Sequence, residues 1–323
     1  MLNLIFLSRF FLATAVAATA VAATSNSNSA TPLSGLYGLS DKVSLIRRNI
    51  DGTWITLGDA LPYEQAQQLS CIDSLHEIFY MIGYDMSVQQ PRLVGLSLFN
   101  GSILTETLLP FIDQTYIGIG QYVTPHTSGH LFVGGQDLNR NHIIGLVNPI
   151  DGNFDLLVNL SNTYRDVFGG TSVFIPETNQ LLFELDLDIM ILNITSRKVT
   201  ILPVNMSFSI LGMNLDQTTG QVIGLDGGPG QGTRTIVSLN PKAYKVTITG
   251  SVPDYANQMG GMTAYDMNKK TIFWIAQKES APSNSPWYLV QNEANGGKVI
   301  TAESICENGG KLCPWSLHFF NAA

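Results

Sequence analysis

The chain has 323 residues, of which 45% are hydrophobic and only 13% charged, with 30 glycines and a net charge of −8 at pH 7. That acidic balance argues against nucleic acid as a partner, because phosphate binding needs a basic surface. No long amphipathic helical pattern occurs, and the length suffices for one sizeable domain.

The first segment, "MLNLIFLSRFFLATAVAATAVAATSNSNSA", carries an apolar stretch from Phe10 to Ala23, with Arg9 before it and small residues at its end. This is the pattern of a secretory signal peptide cut near Ala23. Fourteen residues, many of them alanine, fall short of the roughly 20 that span a bilayer, so cleavage is expected rather than stable membrane insertion. "TSNSNSATP" reads as a disordered leader. The expected organisation is therefore a signal peptide over 1–23, a leader over 24–34 and one folded domain over 35–323.

From there the chain repeats itself. Short apolar runs end in an asparagine and resume after a turn: "LIRRNIDGTW" at Asn49, "LSLFNGSI" at Asn100, "GLVNPIDGNF" at Asn148, "MILNITSRKV" at Asn193, "VSLNPKAYKV" at Asn240 and "YLVQNEANGGKV" at Asn292. The intervals are 51, 48, 45, 47 and 52 residues, a period that signals a repeat architecture. Asparagine suits the position because its side chain bonds the backbone two residues on and tolerates turn geometry.

A second hairpin lies between these, starting at Gln68, Gly120, Gly170, Gly212 and Gly261. Two residues further on stand Ser70, Tyr122, Ser172, Asn214 and Thr263, followed by apolar Cys71, Val123, Val173, Leu215 and Ala264. Polar then apolar is the mark of a strand with one wet face and one packed face. Two hairpins per period make four strands, which is one blade of a β-propeller. The N-terminus starts partway into a period, and a lone strand, "PWSLHFFN" from Pro314, remains at the C-terminus with Ser316 and Leu317 in the polar and apolar positions. Pairing that strand with the first blade closes the ring and hides its edges. The expectation is an all-β, six-bladed propeller, with seven blades as the alternative count.

Four Asn-x-Ser/Thr sequons, at Asn100, Asn159, Asn193 and Asn205, fit a secreted glycoprotein, and Asn100 and Asn193 fall at turns where a glycan projects outward. Cys306 and Cys313 bracket "ENGGKL" and are placed to form a disulfide in an oxidising compartment. Cys71, at an apolar repeat position, reads as a free buried thiol.

Chemistry is harder to find. Repeat length and blade number resemble those of secreted propellers of the lactonase and paraoxonase kind. That resemblance implies a calcium ion in the central channel, held by Glu, Asn and Asp side chains. Of the aligned inner positions only Asn214 is a conventional calcium ligand, with Asp73, Asp216 and Asp266 further along near the turns. His126, His130 and His142 cluster in one blade; the first two are four apart, which on a helix would suggest zinc, but the segment reads as a strand and hairpin turn, where that geometry does not transfer. The "DGGPGQGT" stretch precedes a strand, not a helix, and so is no phosphate loop. No GxSxG elbow occurs, and His318 sits in the closing strand, where a structural role is the commoner one.

The loops that link one blade to the next each hold an aromatic: Tyr63, Tyr116, Tyr164, Phe208 and Tyr255, with Trp315 in the closing repeat. Such residues either ring one face as ligand contacts or wedge between blades. Glu64, Asp113, Arg165, Asp166 and Asp254 in the same loops break the repeat and are candidates for specificity. The expected function is a secreted binding module for a protein or carbohydrate ligand, without a cofactor. The alternative is a calcium-dependent hydrolase of lactonase or esterase type.

Overall fold

The computed structural model describes residues 33–85, 90–109, 122–137, 139, 141–160, 171–185, 188–202, 210–226, 234–252, 254–256, 263–278, 286–306, 314 and 316–321. The described residues form six antiparallel blades in which consecutive strands are neighbours. This is a six-bladed β-propeller.

Blade 1 runs outward from His318–Phe320 through Gly35–Leu39 and Leu45–Arg48 to Trp54–Thr56. The inner strands of blades 2 to 6 are Glu64–Asp73, Tyr122–Pro125, Ser172–Ile175, Ile210–Asp216 and Thr263–Asp266. Each inner strand lies against those of the two flanking blades, and the last contact, between the inner strands of blades 1 and 2, completes the circle. Closure is made by the C-terminal strand, with Gly35 opposite Phe320 and Tyr37 opposite His318. The regular strand is shorter than the sequence suggests, but the Ser316 hydroxyl extends the join by accepting the Leu39 amide at 3.2 Å. An Arg48–Glu303 ion pair ties blade 1 to the outer strand of blade 6.

Burial falls from the channel outward. Thr263–Asp266 is buried at every position, and so is Thr271–Lys278 up to its last residue, whereas the outer strand Ile103–Leu108 has no buried residue. The apolar core is accordingly not at the centre but in six slabs, one between each pair of adjacent blades. Covering both faces of the inner and middle strands explains their near-continuous apolar runs, while the outer strands alternate.

The recurrent asparagines do what their chemistry predicts. The side-chain oxygens of Asn100, Asn148 and Asn240 accept the amides of Ser102, Ile150 and Lys242 at 3.1, 2.9 and 3.0 Å, and that of Asn193 accepts Ser196 at 2.9 Å. Two depart from the pattern. At Asn49 the turn amide of Thr53 goes to Asp51 instead, and Asn292 is fully buried, accepting the Trp274 indole N–H at 2.8 Å and donating to Gly297 O. Among the described residues no helix is long and apolar enough to cross a membrane.

Candidate functional site: the central channel

The inner strands converge on a cavity of about 350 Å³ lined by residues from all six blades. Its described mouth is made by the turns that follow the inner strands, through Ser74, His126, Pro176, Gln217 and Met267, with Asn321 at the chain's end. Strand alternation sends successive inner side chains to opposite sides, toward the previous blade and then the next. The wall therefore changes character from junction to junction.

At three junctions, polar side chains of neighbouring inner strands meet. Between blades 1 and 2, Ser70 Oγ lies 2.9 Å from His318 Nε2. Between blades 3 and 4, the Thr124 and Ser172 hydroxyls share a hydrogen bond. Between blades 5 and 6, Asn214 Nδ2 donates to Thr263 Oγ1 at 3.0 Å and to Gly212 O at 2.6 Å, and the Thr263 hydroxyl donates to the same carbonyl. Gly212 has a φ of +65°, and a Cβ there would sit 1.7 Å from Thr263 Oγ1, so only glycine lets the strands approach this closely. The intervening junctions are mainly apolar at the cavity: Cys71 and Val123 between blades 2 and 3, Leu317 between blades 6 and 1, and Val173 and Met213 between blades 4 and 5, where the buried Thr171 hydroxyl also donates to Ile210 O at 3.2 Å.

Withdrawal from solvent lowers the His318 pKa to about 4, so its imidazole is neutral at neutral pH. It also meets Phe79 edge-on at 5.5 Å. Cys71 is a free, buried thiol, and burial pushes its pKa up, which keeps it protonated and unreactive.

The carboxylates near the channel end are engaged by their own turns. Asp73 accepts the Leu75 amide at 3.0 Å and holds His76 Nδ1 at 2.7 Å; Asp266 accepts the Asn268 and Lys269 amides at 3.0 and 3.1 Å. Asp216 takes Lys270 from the next blade at 2.8 Å. Burial would raise the Asp216 pKa, but hydrogen bonds from Lys270 and Thr218 outweigh it and hold it at about 2. Asn214, the calcium ligand considered from sequence, uses its amide nitrogen to join blades 5 and 6. Among the described residues no three His, Cys, Asp or Glu side chains gather as a metal site.

The histidines regroup relative to the sequence cluster. His126 and His130 share Ser128 through their Nδ1 atoms, at 2.7 and 3.0 Å. His76 joins them from blade 2, its ring 3.3 Å from where a Gly129 Cβ would stand. His142 is elsewhere: it opens the third strand of blade 3, buried and stacked on Phe183 at 6.3 Å, rather than sitting in a turn.

Of the loop residues singled out in the sequence, Tyr63 is buried in the slab between blades 1 and 2. Tyr255 packs at 6.4 Å from Trp274 and 6.0 Å from Tyr288. Asp254 is exposed, with a φ of +70°. The Glu64 backbone pairs with Tyr84. Asp113, Tyr116, Tyr164, Arg165, Asp166, Phe208 and Trp315 lie outside the described residues, as do Asn205, Cys313 and the Cys306 side chain. Asn100 and Asn159 are exposed and Asn193 is half-buried.

No protein-family model matches the chain, and no curated protein does. Solved structures do share the fold. A chain of a nidogen/laminin complex superposes with a TM-score of 0.60 at 13% identity, over 90% of this chain and 99% of that one. TolB from Acinetobacter baumannii gives 0.57 at 13% identity, over 83% of this chain and 66% of that chain. The GH74 enzyme of Niastella koreensis gives 0.55 at 18% identity, over 82% of this chain but only 43% of that chain. At these identities the likeness is one of fold, and the fold hosts both binding proteins and enzymes.

Proposed function

We propose that the chain is a secreted binding module that docks a protein ligand on the end of the propeller formed by its hairpin turns. One observation carries this reading. Of the 13 large apolar residues exposed among the described ones, Leu33, Ile50, Leu75, Phe99, Ile150 and Tyr244 stand at that end, while the other seven lie on outer strands. Apolar tips amid polar turns are the composition of a docking surface, and the carboxylates there are already engaged with their own turns or with Lys270. The nidogen/laminin complex is a precedent for a propeller of similar size in a protein assembly.

Secretion by the first 23 residues, glycans at the four sequons and a Cys306–Cys313 bridge belong to the same proposal. So does a contribution from the opposite rim, where Asp254 is exposed. The test is a panel of purified extracellular-domain proteins probed with the wild type and with a double variant, Ile50→Asp and Ile150→Asp. Both sites are fully solvent-facing turn tips. A binder whose affinity drops at least about tenfold in the variant supports the docking face. Binding indifferent to the variant, or none at all, overturns it.

A further inference from the structure

The three polar pairs occupy every second junction of a six-blade ring, so they stand a third of a turn apart around the channel. None is saturated by its own contact. When two hydroxyls share one hydrogen bond, as Thr124 and Ser172 do, one proton and further lone pairs remain. Ser70 likewise keeps capacity beyond its bond to His318, and the Asn214 carbonyl oxygen takes part in none of the bonds at its junction. Between the pairs the wall is mainly apolar, with Cys71 and Val123, Val173 and Met213, and Leu317; beside the second of these the Thr171 hydroxyl proton is already donated to Ile210 O.

Among the described residues charge is nearly absent from this wall. The one described carboxylate that reaches it, Asp73, is held by its own turn and by His76, and the two described histidines that line it, His126 and His318, have pKa values lowered by burial. A charged ligand would lose hydration with no opposite charge to replace it. The cavity, about 350 Å³, is at the small end of small-molecule pockets, with room for one ring-sized molecule.

We infer that the channel is a binding site for one neutral cyclic polyol, a pyranose or a cyclitol. It lies across the propeller axis with hydroxyls directed at the three polar pairs and C–H edges against the apolar strips. The alternation of the wall matches a ring whose substituents radiate in all directions better than an extended chain. The cavity opens at the same end as the proposed docking face, Leu75 lying in both, but the test of the channel does not depend on that face.

The test is saturation-transfer NMR and calorimetry on the full secreted protein, with glucose, galactose and myo-inositol as neutral rings. Glucuronate serves as the charged ring and sorbitol as the open chain. At least one neutral ring is expected to bind at least about tenfold more tightly than glucuronate and sorbitol, with Ser172→Ala weakening it by about tenfold. On the wild type, titration should shift the His318 ring resonances, a readout that does not depend on any variant folding. No saturable binding of the neutral rings at tens of millimolar, equal binding of sorbitol and glucuronate, or binding that leaves His318 unmoved would overturn the inference.

Discussion

At the junction of blades 3 and 4 the channel wall is a pair of hydroxyls, Thr124 and Ser172, whereas one junction further it is Val173 and Met213. Outward from the wall the two junctions are alike. The first continues into Phe132, Phe174, Phe183 and Leu192, the second into Ile175, Leu182, Val222 and Val237. Stability therefore comes from the apolar slabs at all six junctions. The polar pairs add little net free energy, because each bond replaces one to water, but they leave hydrogen-bonding groups on the channel wall.

That contrast can be broken at defined points. The largest effect is expected from Gly212→Ala, which combines a positive φ with a Cβ inside contact distance of Thr263. It should cost about 3–4 kcal/mol, read from the urea midpoint, even though it touches a polar junction. Leu317→Ala removes a buried side chain from the apolar slab between blades 6 and 1, and about 3 kcal/mol should be lost. If either falls below about 1 kcal/mol, the packing described at that junction is wrong.

Acid gives the next effect. His142 and His318 are held at pKa values of about 4 by burial, against an ordinary value of 6.5. Between those values the unfolded chain binds more protons than the folded one. The stability these groups provide is thus complete above pH 6.5 and is lost as the pH falls toward 4. For His142 alone this amounts to about 2–3 kcal/mol, and His142→Gln should flatten the fall in Tm between pH 7 and 4.5. Asp216 acts lower, its contribution being lost only from about pH 4 toward its depressed value of about 2. Smallest of all, Ser172→Ala should cost about 1 kcal/mol in urea unfolding, which would set the polar pairs apart from the apolar slabs.

Much of the fold was legible because turn chemistry is local. The asparagine period located all six outer hairpins, and the polar-apolar alternation located the inner strands. The orphan "PWSLHFFN" announced the closure that Gly35 and Phe320 make. The site was only half legible. Alternation tells which face a residue takes, not how far along the channel it sits. Tyr122 aligns with Ser70 in sequence, yet Thr124, two residues on, is the one that meets Ser172. At Asn214 a register shift after Leu211 moves the residue relative to its counterparts. The Ser70–His318 contact joins residues 248 positions apart and left no local mark, because only ring closure creates it. The same holds for His76, which blade packing brings to Gly129 beside His130.

The central functional claim is that this propeller binds rather than hydrolyses, and the most direct measurement is the metal content of the purified protein, with its Tm before and after chelation. The account predicts no stoichiometric calcium and an unchanged Tm, since the Asp73, Asp216 and Asp266 carboxylates are all engaged within the fold. One calcium per chain, with a Tm that drops when it is removed, would contradict it and make the channel the site of a metal-dependent hydrolase.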